Sequence, residues 1–103
     1  MKDTKSNDDF AGGFDPQMLI EDARAQAPEF AWLPTELMRC GAGNWESSAY
    51  VHYVSSTNPN QPGSEWQFKT NVVIDHSTLG TVVIDVLHGD RIGGIEFIDR
   101  INR

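Results

Sequence analysis

An α+β fold, a four-stranded antiparallel meander covered on one face by one or two short N-terminal helices, is what this sequence predicts. Three observations carry it. The helix-start signals, Asp15-Pro16 and Pro34-Thr35, both fall in the first forty residues. From Gly43 onward the chain runs in β-branched and aromatic stretches. Those stretches are mostly joined by short turns, whereas parallel pairing needs long crossovers. Helices first and strands afterwards is the α+β order.

Taken in order, residues 1–14 are polar and charged and end near Gly12-Gly13, so they read as a mobile arm that Phe10 and Phe14 can anchor. Residues 15–103 form the single domain. Asp15 supplies an N-cap acceptor and Pro16 a first helical residue, so a helix is predicted over 16–26. Its apolar stripe is Met18, Leu19, Ala23 and the stem of Gln26, and Pro28 stops it. Residues 35–40 read as a second short helix or as a strand. Thr35 after Pro34 is in capping order and favours the helix.

Residues 48–55 are dense in Tyr and Val and read as the first strand. Residues 56–64 contain two prolines and no large apolar side chain, and form a loop. Residues 65–75 alternate cleanly, which places Trp66, Phe68, Thr70, Val72 and Ile74 on a core face and Gln67, Lys69, Asn71 and Asp75 on a wet one. The strongest signal closes the chain. Two β-branched runs, 81–88 and 91–98, flank a turn at Gly89-Asp90, the signature of a hairpin. Gly93-Gly94 inside the second run predicts a bulge or a close approach to the backbone.

At 103 residues the chain builds one core, burying roughly 65% of its unfolded surface without staples. Eight basic side chains face fifteen acidic ones, a net charge of −7. Residues 1–50 hold four basic against nine acidic groups, and residues 51–103 hold four against six. Such a surface repels phosphate backbones and anionic lipid, excluding nucleic acid and membrane as partners, and favours a basic protein. It also serves solubility. Cys40 is the single cysteine, which excludes an internal disulfide and fits a reducing compartment. The first residues lack the apolar run of a signal peptide, and no stretch reaches the ~18 apolar residues of a spanning helix. A soluble, cytoplasmic protein is expected.

Chemistry is thinly represented. His52, His76 and His88 show no metal-binding spacing, and Cys40 has no identifiable base and reads as structural. Asp75, Asp85 and Glu96 lie on strands that pairing can bring together, and paired carboxylates can work as acid and base. No nucleophile, phosphate cradle or His–carboxylate pair accompanies them, so no catalytic residue, cofactor site or metal ligand set is assigned. The expected partner-binding residues are Tyr53, Trp66, Asp75, Asp85, Asp90 and Glu96. The carboxylates would steer encounter and Tyr53 or Trp66 would anchor it.

The closing hairpin, with Asp85 in its first strand and Gly94-Ile95-Glu96 in its second, resembles the end of a small bacterial domain family of uncharacterised function. The stretch Trp45-Glu46-Ser47-Ser48-Ala49-Tyr50 is similar to that family's aromatic-acid opening, with Ser48 where a second acidic residue is usual. The likeness covers about half the chain and implies a small sheet with no established activity. In overall design the chain also resembles immunity proteins of contact-dependent growth inhibition: acidic, single-domain and cytoplasmic. That resemblance implies a binder that neutralises a cognate, basic, nuclease-type toxin domain. The alternative expectation is a small metal- or ligand-binding domain or enzyme using Asp75, Asp85 and Glu96, with oxygen ligands suited to Mg²⁺ or Ca²⁺.

Overall fold

The computed structural model describes residues 13–101. Of the arm expected over residues 1–14, all but Gly13 and Phe14 lie outside that range. Asp15 opens the first helical segment, its Oδ1 accepting the Gln17 N–H at 2.9 Å. A 3₁₀ turn, Pro16–Leu19, leads into helix α1, Ile20–Gln26. The tighter turn rotates the expected stripe: Met18 faces outward, while Leu19, Ile20, Ala23 and Ala27 are buried. Helix α2, Leu33–Arg39, begins before Thr35 and takes Pro34 into its first turn, where a missing N–H costs nothing. Leu33 and Leu37, one turn apart, are its buried residues.

The sheet has five antiparallel strands, not four: β1 (Asn44–Ser47), β2 (Tyr50–His52), β3 (Phe68–His76), β4 (Gly80–Leu87) and β5 (Arg91–Phe97). The run read as one strand over 48–55 is in fact the second half of a hairpin. The chain reverses at residues 47–49, with the Ala49 N–H donating to Ser47 Oγ at 3.1 Å. Nor is the sheet a simple meander. Its order is β1-β2-β5-β4-β3, so β3, β4 and β5 form a meander but β2 neighbours β5 instead of β3. The first hairpin docks on the far edge of β5, because the proline-bearing connection between β2 and β3 is long enough to cross the sheet.

Three register shifts set which side chains face the core. Gly93 is the extra residue opposite Asp85–Val86, so Ile92 and Ile95 both turn inward, as the Gly93-Gly94 pair predicts. Lys69 is the extra residue in β3 and interrupts the alternation expected there. Val72 and Ile74 remain in the core. Phe68 pairs with Leu87 and moves to the opposite face, and Trp66 precedes the strand altogether. Glu46 is the extra residue in β1. The β4–β5 turn has positive φ at Gly89 (+89°) and Asp90 (+58°), as its composition suggests.

The main core lies between the helices and one sheet face, joining Leu19, Ala23, Leu33 and Leu37 to Val51, Ile74, Val82, Ile84, Ile95 and Phe97. Phe14 closes one end, its ring edge-on to Phe97 at 4.8 Å, and Trp45 stacks on Phe97 at 5.5 Å. A second cluster, Val54, Trp66 and Leu87 with part of Tyr50, lies on the other side of the sheet.

Candidate functional site: the uncovered face of the sheet

Strand alternation puts Tyr50, His52, Asn71, Val73, Asp75, Thr81, Asp85, Gly94 and Glu96 on the face away from the helices. At its centre, one cross-strand row runs Asn71–Asp85–Gly94–His52. Gly94 leaves that row open. The Tyr50 ring crosses the gap diagonally, so that a Cβ on Gly94 would sit 2.6 Å from the phenol oxygen. Tyr50 donates its hydroxyl proton to Asp85 Oδ2, and Asn71 Nδ2 donates to Asp85 Oδ1 at 2.7 Å. Burial, then the hydrogen bond to Asp85, pushes the Tyr50 phenol well above its ordinary range, so it stays a donor. Tyr50 and Asn71 thereby hold the Asp85 carboxylate in a single orientation.

His52 continues this arrangement. Its ring lies edge-on to Tyr50 at 4.6 Å and tilted against Trp66 at 5.8 Å, and its Nε2 is 3.0 Å from Glu46 Oε1. Trp66 packs over Gly93, where an added Cβ would meet the indole at 2.8 Å. Toward β1, Glu46, Tyr50, Asp85, Glu96, Arg100 and Ile101 line a cleft of about 620 Å³. Arg100 is held there from two directions: its guanidinium sits 4.4 Å from the Phe97 ring centre and donates to the Ser48 carbonyl at 3.0 Å. Three carboxylates thus share the cleft with one arginine. That chemistry suits a cationic group or a hydrogen-bond donor from a partner.

The sequence-predicted residues divide. Asp85 and Glu96 meet in the cleft. Asp75 does not join them: it is exposed, pairs with Thr81 and accepts the Thr81 hydroxyl at 2.9 Å, four residues along β3 from Asn71 or about 13 Å. The three carboxylates therefore do not converge. Among the described residues no group of three or more His, Cys, Asp or Glu is placed to hold a metal ion. Asp90 is exposed at the tip of the β4–β5 turn. Trp66 is buried rather than presented as an anchor, because the Lys69 bulge and Gly93 let it fold onto Leu87. Tyr53 packs half-buried on the helical side, where burial, then Cys40 and Asp15, raises its phenol. Cys40 is half-buried, its thiol pushed up to about 11 by burial and then by Glu36, which keeps it protonated and unreactive.

Tyr50, His52 and Glu46 carry the site without having been singled out for it, whereas Asn71 stands on the wet face where the alternation of residues 65–75 predicts it. The signal available was Gly94: a glycine in line with Asp85 leaves room for a side chain from a neighbouring strand. Among the described residues no helix is long and apolar enough to cross a membrane. The chain matches no protein-family model, and no curated protein or solved structure is significantly similar to it.

Proposed function

We propose that the chain is an inhibitory binding protein, an immunity protein or antitoxin, that neutralises a basic, nuclease-type toxin domain by docking it on the uncovered sheet face. The supporting observation is the make-up of that face. Its aromatic and polar centre (Tyr50, His52, Asn71) is held rigid around Asp85, Glu96 lines the adjoining cleft, and Val73 stands 57% exposed beside them. Rigid aromatic and apolar groups set dissociation rates, while acidic groups around them attract a basic partner over the ~8–10 Å that salt allows. The net charge of −7 acts in the same direction.

The test is co-expression with the product of the neighbouring reading frame, followed by binding kinetics at two ionic strengths. Growth arrest by that product should be relieved by this chain. Glu96→Lys or Asp75→Lys should slow association, and the loss should shrink at high salt. A neighbouring product that is harmless and is not bound sinks the reading. Association indifferent to salt and to both reversals removes its electrostatic basis.

A further inference from the structure

The outer edge of β3 is a second contact surface, and we propose that the partner adds a strand of its own there. This rests on the toxin-binding reading and concerns how such a partner attaches. β3 is an edge strand, paired with β4 alone. From the end of α1, Gln26 Nε2 donates to the Asp75 carbonyl at 2.8 Å, and Gln26 Oε1 accepts the Asp75 N–H at 2.8 Å. One side-chain amide makes the donor–acceptor pair that a neighbouring strand would make. Since Asp75 turns both backbone groups outward, alternation turns those of Val73 and Asn71 outward too. At the other end, Asn60 donates its N–H to the Trp66 carbonyl at 2.7 Å and accepts the Phe68 N–H on Oδ1 at 2.8 Å. Between these two amides lie residues 69–74, about 20 Å of edge.

Edges protected against association usually carry charge along their length. Here the charge of that stretch is Lys69, at one end, and the exposed Val73 stands near the other. An added strand would set alternate side chains beside Asn71, Val73 and Asp75. The matching occupant is an extended segment of the partner with an apolar residue beside Val73 and an Arg or Lys two positions on, beside Asp75. A second copy is disfavoured by −7 on each chain. The incoming strand takes over the two Asp75 bonds from Gln26, which acts as a removable cover and lowers the apparent affinity by the fraction of time it is closed.

A short capped peptide of alternating arginine and valine, titrated into isotope-labelled protein and followed by NMR, tests this. The Asn71 and Val73 amides should shift and become protected from exchange. Val73→Pro removes an outward N–H that an edge strand can spare, and should weaken the peptide about tenfold. Gln26→Ala should strengthen it several-fold, which a purely structural glutamine would not do. The same peptide N-methylated at alternate residues keeps its charge and should bind much more weakly. Equal binding of the N-methylated peptide overturns strand addition. So do shifts confined to Tyr50, His52 and Glu96, which would leave the sheet-face reading standing. Concentration-dependent protection of Asn71 and Val73 without peptide overturns it in favour of a second copy. The absence of any shift overturns strand addition as well, while the sheet-face reading stands or falls on the co-expression test.

Discussion

Gly94 has the clearest single-residue role. It is buried in β5, faces Asp85 across the ladder, and has the Tyr50 phenol lying over it. Gly94→Ala forces that ring away from a backbone that cannot retreat, since the Val51 carbonyl lies 2.9 Å from the added carbon. The expected cost is about 1–3 kcal/mol, the range for overpacking. Tyr50→Phe removes the nearest atom, so the double variant should lose less than the sum of the two single ones. Denaturant unfolding of all four proteins measures that coupling. Additive losses would show that Tyr50 does not lie over Gly94.

At the level of elements, short pieces depend on their ends and on what they pack against. α1 is too short to persist alone, and the 3₁₀ turn that leads into it is started by the Asp15 carboxylate and Pro16. Asp15→Ala should cost about 1 kcal/mol, lowering the melting temperature by about 4–8 °C, while Asp15→Asn should restore most of it. Thermal unfolding by circular dichroism reads both. This element was legible because its signals are local. β3 was legible as a strand for the same reason, but not its facing: the bulge at Lys69 depends on how Phe68 and Thr70 meet Leu87 and Val86. Tyr50 and Asp85 were each visible, yet their bond joins residues 35 positions apart and needs β2 docked on β5.

For the whole molecule, proton linkage predicts an alkaline limit. Cys40, Tyr50 and Tyr53 are all held above their ordinary ranges, first of all by burial. The folded chain therefore keeps protons that the unfolded chain releases, from about pH 9 for the thiol and about pH 10 for the phenols. Stability contributed by these groups is fully present below those values and is lost as pH rises, for Cys40 between 9.0 and about 11. Urea unfolding at pH 8 and at successive steps to pH 11 should show a falling midpoint, and Cys40→Ala should flatten the early part of the fall. A midpoint constant to pH 11 would contradict the burial of all three.

The sequence by itself determined the α+β class, the helical segment from Pro16 to Gln26, the closing hairpin with its glycine-containing turn, and the acidic balance of the surface. Each follows from charge or from preferences that act within a few residues. Only the tertiary structure decided that the sheet has five strands, that β2 pairs with β5, and that on the uncovered face Trp66 is buried while Tyr50 bonds Asp85. The physical reason is the connection between β2 and β3. Its length lets the first hairpin settle against either edge of the later strands, and burial of Val51 and Trp45 against Phe97 and Ile95 selects the edge of β5.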